Sequence, residues 1–305
     1  MVEAHPLTGR RVLVTGASGF IGARLCRRLV SLGVHVHATS RRPVPALAEV
    51  QWLPCDLAEF DATTALFQAA KPEYVMHLAS HVVGHREVEA VLPTFHNNLA
   101  STVNLLVCSQ KMGCQRVVLT GSLEEPPPSS GWAVPSSPYA ATKHAASAYG
   151  RMFHALYDLC VVNLRVFMVY GPGQPDVKKL VPYVITSLLR GEQPKVGSGT
   201  REVDWVYVDD VVEAFVRASF EPGLGGQTID VGTGQLTTVR RVVELLYELL
   251  QPDFALELGA LGDRPLEQIR VADVASSYER MQWQPRVGLR EGLSRTIEWY
   301  TQQPR

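Results

Sequence analysis

No apolar stretch of this 305-residue chain outlasts a β-strand, and the opening MVEAHPLTGRR has no hydrophobic signal core. Nothing in it reads as a membrane span or a secretory leader, so the protein is expected in the cytoplasm. Its five cysteines, Cys26, Cys55, Cys108, Cys114 and Cys160, form no C-x-x-C pair. In mostly apolar settings they read as small core residues rather than a disulfide framework, and no metal site is expected. An excess of either charge is also missing: 29 Lys and Arg against 30 Asp and Glu leave a formal net charge of -1. The basic pairs at 10–11, 27–28 and 41–42 stand apart at element edges, which excludes a phosphate-tracking nucleic-acid surface. There is no internal repeat and no low-complexity tail.

What is present is 46% hydrophobic residues, enough to bury a large core in one large or two interlocked domains. Strand-like apolar runs are expected near 11–15, 34–38, 51–53, 74–78, 116–120, 161–166 and 228–231, with helical patterns around 20–32, 60–70, 98–112 and 139–158. This alternation predicts an α/β fold, a doubly wound parallel sheet of Rossmann type that binds ligands at the carboxyl ends of its strands. After residue 167 the pattern loosens. The expected division is a dinucleotide-binding domain of 1–167 plus about 205–235, and a smaller discontinuous substrate domain of about 168–204 and 236–305.

The run Val12 to Val14 leads directly into Gly16, Gly19 and Gly22, followed by a helical pattern at Ile21, Leu25 and Leu29. In this order Gly16 permits a tight turn, Gly19 lets backbone approach a pyrophosphate, and Gly22 lets helix pack on strand. Ser18, Phe20 and Ile21 complete the cofactor loop. The plain alternative is a βα loop shaped by glycine and nothing more. Far downstream stand Ser122 in VVLTGSLEE and the pair Tyr139 and Lys143 in SPYAATK. Four residues apart on a helix, the pair shares one face, so an ammonium beside a phenol favours the phenolate. With Ser122 holding the same oxygen, this is equipment for moving a proton on and off an alcohol or sugar oxygen. At the end of the second strand, where an NAD enzyme usually places a carboxylate for the ribose, the chain offers Thr39, Ser40, Arg41 and Arg42. Cations there suit a 2′-phosphate and point to NADPH rather than NAD; the alternative is solvated surface charge beside Pro43. The Pro-rich stretch 124–138 is read as a loop at the rim of the substrate pocket.

The T-G-x-x-G-x-x-G spacing at 15–22, with the serine and Y-x-x-x-K, resembles the extended short-chain dehydrogenase/reductase family, whose members mostly modify nucleotide sugars. Matching segments run through Cys55-Asp56-Leu57, His77 to Ser80, Asn98, VFMVYGPGQ, DWVYVDDV and the closing LREGLSRTIEWY. The resemblance implies that Asp56 and Leu57 flank the adenine, that Leu78 and Ala79 line the cofactor, and that Asn98 lies in the helix beneath the site. It also implies a nucleotide-diphosphate sugar substrate and a homodimer paired through a four-helix bundle of 98–112 and 139–158, where Val103, Leu106, Ala146 and Phe153 suit burial. Val203 stands where relatives usually carry arginine, with Arg201 two residues earlier. Arg264 matches a later family arginine that clamps the diphosphate, unless it is a surface residue paired with Asp263 or Glu267. Met168 replaces a usual asparagine.

Dehydratases of this family usually follow the Ser/Thr with an acid and a glutamate, whereas Ser122 is followed by Leu123 and then Glu124. Leucine donates no proton to a leaving hydroxyl. The run GSLEE is similar to the G-S-x-E-E of GDP-4-keto-6-deoxymannose reductases, which makes Glu124 a candidate to orient the sugar or to cap local amides. His81 is a candidate sugar contact or a wall residue. The expected activity is NADPH-dependent reduction of a nucleotide-linked 4-keto-6-deoxyhexose in deoxysugar biosynthesis. A 4-epimerase, a 4,6-dehydratase with a different acid, and a non-catalytic cofactor-sensing scaffold are the alternatives.

Overall fold

The structure is a computed structural model describing residues 4–41, 49–82, 86–126, 134–262 and 268–303. The chain runs β1 (Arg11–Thr15), α1 (Phe20–Ser31), β2 (His35–Thr39), β3 (Gln51–Trp52), α2 (Phe60–Ala70), β4 (Tyr74–His77), α3 (Val91–Thr94), a π-helical stretch (Phe95–Ala100), α4 (Ser101–Lys111), β5 (Arg116–Ser122) and α5 (Pro138–Tyr157). It continues through β6 (Val161–Val166), β7 (Met168–Tyr170), α6 (Leu180–Leu189), β8 (Glu202–Tyr207), α7 (Val208–Ala218), β9 (Thr228–Val231), β10 (Leu236–Thr238), α8 (Val239–Leu250), α9 (Val274–Met281) and α10 (Leu289–Thr301).

Seven strands form one sheet in the order β3-β2-β1-β4-β5-β6-β9, with every pairing parallel. Strand order reverses between β1 and β4, which opens a crevice at their carboxyl ends. Both faces of the sheet are covered, so its strands read as nearly continuous apolar runs; four of the five residues of β1 are buried. On one face, Leu25 and Leu29 of α1 share a core with Val211, Val212 and Phe215 of α7. On the other, Leu66 and Phe67 of α2, Leu105 and Leu106 of α4, and Phe153 of α5 do the same. Leu106 and Phe153 are therefore consumed inside the subunit rather than left for a partner, in one core with Val117, Leu119 and Val161 of the sheet, and Ala146 is buried as well. The exposed apolar side chains of these helices and the π stretch are instead Phe95, Tyr149, Leu156 and Tyr157.

The helix expected at 98–112 starts earlier and differently. A π-helical stretch from Phe95 carries Asn98 inward, the widened turn that accommodates an extra residue. A second sheet, β10-β8-β7, lies beyond the first. Its core, with Val184 and Ile185 of α6, Val242 and Leu246 of α8 and Leu293 of α10, is separate from the two cores of the large sheet. Asp204 of β8, 1% exposed, joins the two halves. Its carboxylate accepts from the amides of Thr233, Gly234 and Ala272 and from the Thr233 hydroxyl at 2.6–3.1 Å. No helix among the described residues is long and apolar enough to cross a membrane.

Candidate active site

The β1–α1 turn is built as its glycines require. Gly16 has φ +65, and a Cβ there would lie 2.6 Å from the amide nitrogen of Ala79, so the turn lies against the end of β4 only because the side chain is absent. A Cβ at Gly22 would strike the carbonyl of Gly16, so its absence lets α1 start directly on the turn. Gly19 caps α1 without a side-chain acceptor, leaving the first amides of the helix open.

Over this turn is a cavity of about 710 Å³. Among its lining residues are Gly16, Ser18 and Gly19 of the turn, Thr39, Ser40 and Arg41 after β2, Asp56 and Leu57 after β3, Leu78, Ala79 and His81 after β4, and Asn97 of the π stretch. Phe20, Ile21 and Gly22 form the first turn of α1 behind it. The shape and open amides fit a dinucleotide, with the pyrophosphate at the helix N-terminus. Asp56 is the only carboxylate among the described lining residues, and its Oδ1 accepts from the Ala58 amide of its own loop at 3.0 Å. The Arg41 guanidinium donates to Asn97 Oδ1 at 3.3 Å. Arg42 lies outside the described residues, as does Arg264. Arg201 stands just before β8 of the small sheet, not among the cavity's lining residues.

A buried polar chain supports the floor of the cavity. His77 of β4 lies between Thr15 and Thr102, with Nδ1 2.8 Å from Thr15 Oγ1 and Nε2 3.0 Å from Thr102 Oγ1. Thr102 spends its hydroxyl hydrogen on the Asn98 carbonyl at 2.6 Å, so Nε2–H of His77 donates to Thr102, and the neutral ring accepts from Thr15 at Nδ1. Thr15 Oγ1 in turn accepts from the amides of Leu78 and Ala79 at 3.2 and 3.1 Å. Burial, with Lys143 adding to it, lowers the His77 pKa to about 3. Asn98 ties the same strand end to the π stretch: its Oδ1 accepts from the His81 amide at 2.6 Å and from the Ser80 hydroxyl at 3.2 Å.

The triad assembles at the end of β5. Ser137 caps α5 by accepting from the Ala140 amide at 3.1 Å, and Pro138 follows at the first helical position; such a cap contributes about 1 kcal/mol. Tyr139 and Lys143 thus begin the helix. The Lys143 ammonium is 5.7 Å from the centre of the Tyr139 ring and donates to the Thr120 carbonyl of β5 at 2.8 Å. Ser122 Oγ accepts from the Glu124 amide at 3.2 Å. Burial raises the pKa of Tyr139, with the nearby Ser122 hydroxyl opposing the rise and the Glu124 and Glu125 carboxylates adding to it. Burial lowers Lys143 to about 8, and the Glu125 carboxylate pushes it back up. Leu123 is buried in the large core and presents no proton donor. Glu124 sits at the rim, where its Oε2 accepts from Ser137 Oγ at 3.5 Å.

The acid that enters the protein is the next one. Glu125, 2% exposed, accepts from the Ser122 amide and from the Ser147 hydroxyl, each at 2.8 Å. Sequence reasoning singled out Glu124 and passed over Glu125, because two adjacent acids give no local sign of which one turns inward. Among the described residues no group of three or more His, Cys, Asp or Glu could hold a metal ion.

The pattern of the NAD dependent epimerase/dehydratase family matches residues 12–232. The chain belongs to this family. It is 34% identical over 317 residues to the UDP-glucose 4-epimerase of Mycolicibacterium smegmatis, covering 95% of this chain and 98% of that one. Among solved structures it is similar to the UDP-glucose 4-epimerase of Thermotoga maritima with UDP-glucose, at a TM-score of 0.86 and 27% identity over 95% of this chain and 98% of that one. It is also similar to the Thermus thermophilus UDP-glucose 4-epimerase in complex with NAD, at a TM-score of 0.84 and 28% identity over 96% and 99% of the two chains. The family member described here is thus an enzyme of the extended short-chain dehydrogenase/reductase class, with that class's Rossmann sheet.

Proposed function

We propose that the protein reduces a nucleotide-linked 4-keto-6-deoxyhexose with NADPH. The observation that carries the choice of reductant is the end of β2, where Thr39, Ser40 and Arg41 line the cavity and, among the described residues there, no carboxylate stands to receive the ribose hydroxyls. When bound, the nicotinamide supplies the hydride. The Tyr139 phenol gives its proton to the keto oxygen, and the Ser122 hydroxyl orients that oxygen. The Lys143 ammonium, anchored on the Thr120 carbonyl, eases loss of the phenolic proton. Buried Leu123 argues against elimination, since a departing hydroxide meets no proton donor at that position. The halves 168–204 and 236–305 are proposed to receive the nucleotide sugar, with His81 and Arg201 as candidate contacts.

A second reading, 4-epimerisation, is favoured by the 34% identity to a UDP-glucose 4-epimerase and by the NAD bound in the Thermus neighbour. One assay separates them. The reductase oxidises NADPH stoichiometrically with a nucleotide-linked 4-keto-6-deoxyhexose and leaves a 4-hydroxy nucleotide hexose untouched. Interconversion of two hydroxy sugars without net cofactor consumption would overturn the reductase reading in favour of the epimerase. A keto sugar formed by loss of water would overturn both.

A further inference from the structure

A carboxylate sealed between a sheet and a helix is unfavourable unless its oxygens are satisfied. Glu125 meets that condition within a network drawn from three elements. Oε1 accepts from the backbone amide of Ser122 on β5 and Oε2 from the hydroxyl of Ser147 on α5, each at 2.8 Å. Asn163 Nδ2 of β6 donates to that same Ser147 oxygen at 2.8 Å. Both carboxylate oxygens accept hydrogen bonds and neither donates one, the pattern of the ionised form. A Cβ at Gly121 would run into Glu125 Oε1 and the Asn163 amide, so the strand leaves space for this network. The backbone carbonyl of Glu125 accepts from Arg270 Nη1 at 3.3 Å.

We propose that Glu125 is a positioning residue of the proton-transfer site, its carboxylate fixing the backbone of Ser122 and supplying the negative charge against which the Lys143 ammonium is held. The inference rests on the reading that Tyr139 and Lys143 handle the proton of a sugar oxygen. Lys143 is 5% exposed, and its hydrogen bond to the Thr120 carbonyl supplies no charge. Of the groups around the pair, His77 of β4 is neutral, Tyr139 shares α5, Glu124 lies at the rim, and Arg270 faces the Arg165–Asp230 pair as well as Glu125. Ser147, which donates to Glu125, stands one turn of α5 beyond Lys143 on the same helical face, so the carboxylate lies beside the face that carries the ammonium, and its charge opposes the effect of burial on Lys143.

The test is Glu125→Gln in the full chain, which keeps the shape and the bond from the Ser122 amide but removes the charge. Lys143 is followed by NMR of ¹³Cε-labelled lysine, assigned with Lys143→Met. Its titration midpoint, near 8 in the parent protein, is expected to fall by about one unit. The alkaline limb of turnover is expected to move down with it. Ser147→Ala removes one hydrogen bond and keeps the charge; it should leave the midpoint within about half a unit even where it lowers stability. An unchanged midpoint in Glu125→Gln, or an equal shift in Ser147→Ala, overturns the proposal. If Glu125→Gln does not fold, Glu125→Asp, which retains the charge one methylene back, must hold the midpoint near the parent value, and a fall of about one unit in that variant refutes the idea. Because the titration needs no substrate, a shifted midpoint in a protein that reduces no keto sugar would refute the proposed reaction and leave Glu125's role standing.

Discussion

Lowering the pH from about 7.5 to about 5 is expected to cost the fold ~2 kcal/mol through one side chain, His77. In the folded protein its ring is neutral, with Nδ1 accepting from Thr15 while Thr15 Oγ1 takes the amides of Leu78 and Ala79. A proton on Nδ1 would face an oxygen whose lone pairs are already engaged. The folded pKa of about 3 lies below the ordinary 6.5, so in the window between them the unfolded chain holds the extra proton. Stability is therefore complete above pH 6.5 and is lost as pH falls toward 3. At about pH 5 the window has been entered by roughly 1.5 units, each worth about 1.4 kcal/mol. Urea unfolding at the two pH values reads this as a fall in midpoint of roughly 0.7 M for a slope near 3 kcal/mol/M. In His77→Asn, whose amide oxygen still accepts from Thr15, the fold starts lower by ~1–3 kcal/mol. It should lose about 2 kcal/mol less on acidification. Equal pH dependence of the two proteins would refute the neutral, locked histidine.

Tyr139→Phe removes one hydroxyl from a packed ring, so it should fold and bind cofactor with turnover lower by ~10²–10⁴-fold; near-normal kcat would remove the proton donor from the scheme. Replacing Arg41 and Arg42 together by alanine should weaken NADPH by ~10–100-fold and NADH much less, since only the former carries the extra phosphate. Equal losses in fluorescence titrations would return the cofactor assignment to NAD, as in the Thermus neighbour. We propose a homodimer through α4 and α5, with Tyr149, Leu156 and Tyr157 of α5 exposed for it; a monomer mass by light scattering at micromolar concentration would contradict it.

By itself the sequence determined what depends on near neighbours. The apolar run ahead of Gly16 specifies a buried strand and the turn that must follow it, because a glycine at φ +65 is a local requirement. The four-residue spacing of Tyr139 and Lys143 places them on one helical face wherever that helix lies, and the strand and helix periods set the layers of the large sheet. Only the tertiary structure decided which groups meet across the sheet. That Glu125 rather than Glu124 turns inward follows from Ser147 of α5, 22 positions further along the chain, and from Asn163 of β6, which holds Ser147 from 16 positions beyond that. That His77 is neutral follows from Thr15 and Thr102, 62 and 25 positions away. The widened helical turn at Asn98 and the inward facing of Leu106 and Phe153 are likewise settled by packing in the tertiary structure. A polar side chain carries the same local pattern whether its partners are water or protein, and the difference appears only when folding removes the water.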